Sequence, residues 1–173
     1  MKRMFIVLIL LFVPLLSACR SIPEKTPNLY VSFNTGNSPR QRFQAGQLSR
    51  NWNPMTFDRQ GNQVGGYCAS ALHALDSWEW GDYREETIVS LDGISGEVRL
   101  RFSNNFPPHT LYVRRWRTEF IGMGLYVKDQ YEPIELENNI FRVNDNGYDY
   151  IYEVDAKWEQ GRSSYTFRIN SGK

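Results

Sequence analysis

The stretch that decides the fold is YDYIYEVDAKW, residues 148–158, followed by EQGRSSYTFRIN up to residue 170. Large or apolar side chains occupy every second position of its first part, at Tyr148, Tyr150, Tyr152, Val154, Ala156 and Trp158. Charged side chains lie largely between them, and a period of two is typical of a strand with one buried face. After a turn at Gln160-Gly161, Tyr165, Phe167 and Ile169 alternate with polar residues. The stretch predicts a C-terminal β-hairpin with a buried aromatic face.

Shorter segments of the same kind precede this hairpin. Val98, Leu100 and Phe102 alternate with Arg99 and Arg101, which predicts a half-buried strand. Further strands are predicted over 29–33, 48–53, 55–58, 63–69, 86–91, 110–116, 134–136 and 140–143, with one helical turn over 70–75 and a loop or weak hairpin over 118–133. Short strands separated by frequent Gly, Pro and Asn turn signals favour an all-β sandwich.

Two motifs resemble known families. Asp145-Asn146-Gly147, followed by Tyr148 and Tyr150, resembles the tyrosine corner of immunoglobulin-like domains. The hairpin itself, together with the segment LYVRRW at 111–116, is similar to the C-terminal part of small uncharacterised lipoproteins of Gram-positive bacteria. That resemblance implies an immunoglobulin-like antiparallel β-sandwich over 29–173, and it implies no activity.

The N-terminus resembles a bacterial lipoprotein signal peptide. Lys2 and Arg3 precede an apolar run over 4–16, which is shorter than the roughly 20 residues that a transmembrane helix needs. Leu16-Ser17-Ala18-Cys19 resembles a lipobox, in which the Cys thiolate accepts a diacylglyceryl group. We expect residues 1–18 to be a cleaved signal peptide, Cys19 to carry the lipid, and 19–28 to be an extended tether. The alternatives are an ordinary secretory signal and a transmembrane anchor.

Charge and cysteine content limit the classes of partner. After removal of residues 1–18 the chain has 18 Lys and Arg against 19 Asp and Glu, so its net charge is −1. This balance gives no general attraction to nucleic acid or to an anionic membrane. If Cys19 carries lipid, Cys68 has no intrachain partner. We expect Cys68 to be a small buried residue, and a redox or intermolecular role is the alternative.

The sequence contains no clear catalytic or metal-binding motif. Its two histidines, His73 and His109, do not have the spacing of zinc ligands, and no Gly-x-Ser-x-Gly elbow is present. A Cys68–His73 nucleophile pair is conceivable, although both residues are equally compatible with structural roles. We therefore expect no enzymatic activity, no metal and no cofactor. A degradative enzyme with a scattered site is the remaining catalytic alternative.

Two groups of residues are candidates for ligand binding. Trp78, Trp80 and Tyr83 lie in an irregular segment with two carboxylates and are suited to stacking on a sugar, but a Trp that plugs the end of the sandwich explains them as well. Five arginines lie on two neighbouring predicted strands, at Arg99, Arg101, Arg114, Arg115 and Arg117. If those strands pair, their guanidinium groups form a patch for wall phosphates or anionic lipid headgroups. The alternative is a solvated face neutralised by Asp and Glu.

These expectations favour a lipid-anchored protein on the extracytoplasmic face of the cell membrane. Its expected role is a binding or interaction module of the cell envelope, with a wall glycan or an envelope protein as partner and without nucleic acid. The alternative is a sensor or inhibitor subunit that regulates a neighbouring membrane protein.

Overall fold

The computed structural model describes residues 23, 25–34, 41–52, 56–57, 63–64, 67–68, 72–81, 87–91 and 95–171. The predicted signal peptide, Cys19, Tyr83 and the side chain of Cys68 lie outside this description. The strands are β1 (Leu29–Asn34), β2 (Gln41–Gln44), β3 (Gly46–Trp52), β4 (Thr56–Phe57), β5 (Gln63–Val64), β6 (Tyr67–Cys68), β7 (Ile88–Ser90), β8 (Gly96–Phe102), β9 (Thr110–Arg117), β10 (Glu132–Ile134), β11 (Ile140–Val143), β12 (Tyr150–Trp158) and β13 (Gly161–Asn170). The helix α1 spans Ala74–Trp80.

Two main sheets form the sandwich. The first, sheet A, has the strand order β11-β8-β1-β2, and the second, sheet B, has the order β10-β9-β12-β13-β3-β6. Neighbouring strands along both orders are antiparallel, whereas β7 pairs with β13 in parallel. The predicted hairpin is confirmed as β12 and β13, which pair from Tyr150↔Ile169 to Trp158↔Gly161. The chain is therefore an all-β sandwich, as the alternating pattern predicts.

Aromatic side chains fill the space between the two sheets. Tyr152 stacks on Phe167 with ring centroids 5.0 Å apart, and Phe141 of sheet A stacks on Tyr152 at 5.5 Å. At the hairpin end of the sandwich, Trp158 makes edge contacts with Trp52 at 5.4 Å and with Phe102 at 5.2 Å. Such pairs add to the stabilisation that comes from burying the rings.

The expectation of a single buried face on β12 is wrong, because the outer face of sheet B is covered as well. Ile151 and Glu153 point to that outer face, yet they are 0% and 4% exposed. Both lie beneath α1, where Glu153 accepts a hydrogen bond from the N–H of Ala74. Ile151 belongs there to a second apolar cluster, whose other members are Leu48, Ala74, Leu75, Trp78, Trp116 and Val127. Sheet B is consequently the middle layer of the domain, between sheet A and α1.

The helix begins later than predicted because of its caps. His73 is extended and its Nδ1 accepts a hydrogen bond from the backbone N–H of Leu75 at 3.2 Å. At the other end, Gly81 has φ +76° and its N–H donates to the Ser77 carbonyl. Helices commonly end at a glycine in the left-handed region of backbone conformation. Within the described residues, no helix is long and apolar enough to cross a membrane.

The corner before β12 differs from the predicted pattern. Tyr148 precedes the strand and is 44% exposed, so its predicted place on the buried face is wrong. The turn is closed by Asp145, whose Oδ1 accepts from the N–H of Gly147 at 3.0 Å. The Tyr150 hydroxyl accepts from the side-chain amide of Asn146 at 3.0 Å. The corner is thus built on a side-chain contact to Tyr150.

Candidate functional site

The predicted arginine patch does not form, because β8 and β9 belong to different sheets. Arg99 and Arg101 lie on β8 in sheet A, whereas Arg114, Arg115 and Arg117 lie on β9 in sheet B. The condition that the two strands pair is not met. The five side chains therefore lie on two different sheets and do not form one patch.

The three arginines of β9 are each held by partners in the chain. Arg115 donates to Glu132 at 2.8 Å and to the Tyr152 hydroxyl at 3.4 Å, and its guanidinium lies 4.0 Å from the centre of the Tyr150 ring. Burial lowers the pKa of Arg115, but the contacts with Tyr152 and Glu132 outweigh this effect and raise it. Arg117 pairs with Glu119 at 3.4 Å. The guanidinium groups of Arg115 and Arg117 are thus each paired with a carboxylate of the chain.

Arg114 belongs to the contact between sheet B and α1. Its Nη2 donates to Glu153 Oε1 at 2.6 Å, and Glu153 Oε2 also accepts from the N–H of Ala74 at 3.3 Å. Its guanidinium lies 5.3 Å from the centre of the Trp116 ring. The ion pair therefore joins the sheet to the first residue of the helix.

The predicted aromatic group is divided by the structure. Trp78 is 4% exposed, and its indole N–H donates to Thr166 Oγ1 at 2.9 Å, so stacking of Trp78 on a sugar is wrong. Trp80, two residues further along α1, is 66% exposed. Tyr83 lies outside the described residues. Trp78 thus has the structural role of a core residue, on the side of α1 that packs against sheet B.

A concave surface lies on the outer face of sheet A. Inward-pointing residues alternate with outward-pointing ones along β1 and β8, so Tyr30 and Arg101, which are register partners, both face outward. The guanidinium of Arg42, from β2, lies 4.5 Å from the centre of the Tyr30 ring. A cavity of about 800 Å³ is lined by these three side chains and by the turn that follows β8.

That turn holds asparagines in an uncommon backbone conformation. Asn104 and Asn105 have φ +60° and +49°, in the left-handed region that Asn tolerates better than most residues. Ser103 fixes the turn to the start of β1, because its N–H donates to the Asn28 carbonyl and its Oγ accepts from the Asn28 N–H, both at 2.9 Å. The turn therefore forms a polar wall beside Tyr30.

A second cavity of about 550 Å³ shares this wall. Tyr30, Ser103 and Asn104 line both cavities, and the second one is also lined by Pro23, Lys25, Thr26 and Arg50. We call the two together the basic cleft. Its described lining contains four cations, which are Lys25, Arg42, Arg50 and Arg101, and neither Asp nor Glu.

Residues just before β1 are held against one end of the sandwich, next to the cleft. The Trp52 indole N–H donates to the Pro23 carbonyl at 3.1 Å, and the Tyr165 hydroxyl donates to the Pro27 carbonyl. Burial raises the pKa of Tyr165 to about 12, so this hydroxyl remains a donor at neutral pH. The start of the domain is thereby fixed at the end where Trp158 and Gly161 lie.

The described residues contain no metal-binding cluster. Among them, no group of three or more His, Cys, Asp and Glu is arranged to hold a metal ion. His73 caps α1 and packs its ring on Trp116 with centroids 4.9 Å apart. Burial lowers the pKa of His73, which favours the neutral ring that the cap requires. A pair with Cys68 stays untested because the Cys68 side chain lies outside the description.

Of the residues that line the basic cleft, the sequence analysis identified Arg101 as a candidate for ligand binding. It did not identify Lys25, Tyr30, Arg42 or Arg50. The outward position of Tyr30 follows from the alternation in LYVSF at 29–33, yet nothing in the sequence indicates that β1 separates β8 from β2. Compared with protein-family models the chain matches none, and no curated protein shows a significant match. The resemblance to lipoproteins of Gram-positive bacteria stays a prediction.

Proposed function

We propose that the chain is a lipid-anchored protein on the extracytoplasmic face of the cell membrane, and that it acts by binding rather than by catalysis. The observation that carries the proposal is the basic cleft, a concave surface with four cations and no carboxylate in its described lining. The lipobox-like segment ending at Cys19 supports the anchor. The partner in this proposal is an anionic component of the envelope.

We also propose that the sandwich is of the immunoglobulin-like class. The support is the resemblance of its C-terminal hairpin and the presence of two largely antiparallel sheets. A solved structure with a different strand connectivity from immunoglobulin-like domains would overturn this assignment.

The anchor is tested by metabolic labelling with a palmitate analogue in bacterial cells. We expect the full chain to become labelled and to sediment with membranes. The variant Cys19→Ala should lose the label and accumulate as the uncleaved precursor, since the thiolate is the acceptor. Labelling that persists in Cys19→Ala would contradict the proposal.

The binding role is tested on purified cell-wall sacculi and membranes at low and high salt. We expect retention that falls as salt screens the charges, and that falls further in Arg101→Ala. Arg115→Ala is the matched control, because Arg115 is held by Glu132 and Tyr152 within the chain. Turnover of any envelope glycan or peptide by the purified protein would contradict a purely binding role.

A second candidate function is regulation of a neighbouring membrane protein. It is favoured by large apolar side chains that are exposed near α1, which are Trp80, Met123, Leu125 and Tyr126. The segment at 121–126 lies against the helix, since a Cβ on Gly122 would be 3.7 Å from Glu79 Oε1. Photo-crosslinking from position 126 in intact cells should capture one stoichiometric protein if this function is correct.

A further inference from the structure

We propose that the basic cleft binds the phosphate group of an anionic phospholipid headgroup in the membrane that carries the chain. This inference rests on the lipid anchor proposed above and adds the ligand of the same site. Its basis is the position of the cleft relative to the anchor, the charge of its lining and the geometry of its side chains.

The position follows from the length of the tether. Pro23, Lys25 and Thr26 line the cleft, and Cys19 precedes Pro23 by four residues. Four fully extended residues span at most about 14 Å. A lipid on Cys19 thus keeps the edge of the cleft within about 14 Å of the membrane surface, so the short tether allows the lining of the cleft to contact lipid headgroups.

The charge of the lining selects an anion. Lys25, Arg42 and Arg101 come from the tether, β2 and β8, and the described lining of the cleft contains neither Asp nor Glu. Arg99, which neighbours Arg101 on the same face, is instead paired with Glu97 at 3.2 Å. The positive charge is therefore local to the cleft and does not reflect the chain as a whole.

The geometry suits a phosphodiester in particular. Arginine presents a planar fork of donors that matches two phosphate oxygens, and Arg42 is oriented by its contact with the Tyr30 ring. The asparagine turn adds the side-chain amide of Asn104, which can bond the glycerol hydroxyls of a headgroup. The two cavities, of about 800 and 550 Å³, are open enough to admit a headgroup.

The test uses the full chain in neutral detergent micelles, to which phosphatidylglycerol or phosphatidylcholine is added in increasing proportion. Binding is followed by NMR shifts of the Tyr30 and Asn104 amides. We expect saturable shifts with phosphatidylglycerol alone, and an apparent affinity about fivefold weaker in Arg101→Gln and in Arg42→Gln. Arg99→Gln removes the same charge outside the cleft and should change the affinity less than twofold.

Three results would overturn the proposal. The first is an equal loss in Arg99→Gln and Arg101→Gln, which would indicate general attraction rather than a site. The second is saturation by soluble poly(glycerol phosphate) without any response to the doped micelles, which would identify a polymer in place of the membrane. The third is an absence of shifts with both probes while thermal unfolding shows the variants to be folded. If the chain bound the phosphatidylglycerol micelles but was not labelled by the palmitate analogue, only the proposal of a lipid anchor would be refuted.

Discussion

The ion pair beneath α1 allows a quantitative test of the three-layer arrangement. Glu153 is 4% exposed and accepts from both Arg114 and the N–H of Ala74. In Glu153→Gln the amide oxygen can still accept from Ala74, but the Arg114 guanidinium loses its anionic partner. Removing one partner of a buried pair costs about 3–5 kcal/mol. Because the Arg114 side chain keeps 25% of its exposure, we expect the lower end, about 3 kcal/mol.

The assay is thermal and urea unfolding of the full chain, followed by circular dichroism. For a domain of this size about 3 kcal/mol corresponds to a fall in Tm of roughly 6–12 °C. The double variant Arg114→Met with Glu153→Gln removes both charges. Its free energy of unfolding should lie within about 1 kcal/mol of that of the parent chain. A double variant as unstable as Glu153→Gln would refute the reasoning.

Asp155→Asn is the matched control for the same strand. Asp155 also lies on the outer face of β12 and pairs with Arg162, whose side chain is 65% exposed. A pair in contact with solvent contributes at most about 1 kcal/mol. If Asp155→Asn destabilised the chain as much as Glu153→Gln, burial beneath α1 would not explain the effect.

Two further predictions concern a helix cap and a tight strand crossing. Burial lowers the pKa of His73 below its ordinary 6.5, so the unfolded chain takes up the proton first as pH falls. The stability that depends on neutral His73 is present above about pH 6.5 and decreases as the pH falls below that value. His73→Asn, which can still cap the helix, should make the free energy of unfolding less dependent on pH between pH 7 and pH 5. A Cβ on Gly161 would lie 1.9 Å from the carbonyl oxygen of Asn51, so Gly161→Ala should lower the free energy of unfolding by about 2 kcal/mol or more. A Cβ on Gly46 would meet its nearest atom at 3.6 Å, so Gly46→Ala should change the stability by less than about 0.5 kcal/mol. A free energy of unfolding that falls as steeply below pH 7 in His73→Asn as in the parent, or equal losses for the two glycine variants, would contradict these expectations.

The alternation of side chains was sufficient to predict the central hairpin. In β12 and β13 the aromatic residues at every second position face the other sheet, and pairing of Tyr152 with Phe167 brings two of them into contact. The same argument located β8, where Val98 and Leu100 are buried. A period of two depends only on neighbouring residues of one strand, so it can be recognised without knowledge of the long-range contacts.

The layer formed by α1 was not predictable from that pattern. The sequence pattern predicts that Glu153 faces solvent on a half-buried strand. It is buried instead, because a helix more than 70 residues earlier in the chain covers it. The partner that compensates its charge, Arg114, lies on a third element. Burial of a charged residue on an outer face is decided by long-range contacts, which the local pattern does not contain.

The candidate site was predicted only in part for the same reason. The alternation in β8 correctly predicted that Arg101 faces outward. It could not predict which strands are neighbours, because that depends on the topology of the sheets. β8 pairs with β1 and β11 rather than with β9. The basic cleft is thus assembled from Lys25, Tyr30, Arg42 and Arg101, which lie on four separate parts of the chain. No spacing rule in the sequence joins them.

The most direct test of the account is the orientation of the domain on a bilayer. The full chain would be placed in nanodiscs of phosphatidylglycerol that contain a lipid with a gadolinium chelate on its headgroup, and paramagnetic broadening of backbone amides would be measured. Strand β12, with nine residues, separates the two ends of sheet B by about 26 Å. We predict strong broadening at Lys25, Tyr30 and Asn104 and little at Tyr148, beyond the opposite end. Uniform broadening, or stronger broadening at Tyr148, would contradict a cleft that faces the membrane.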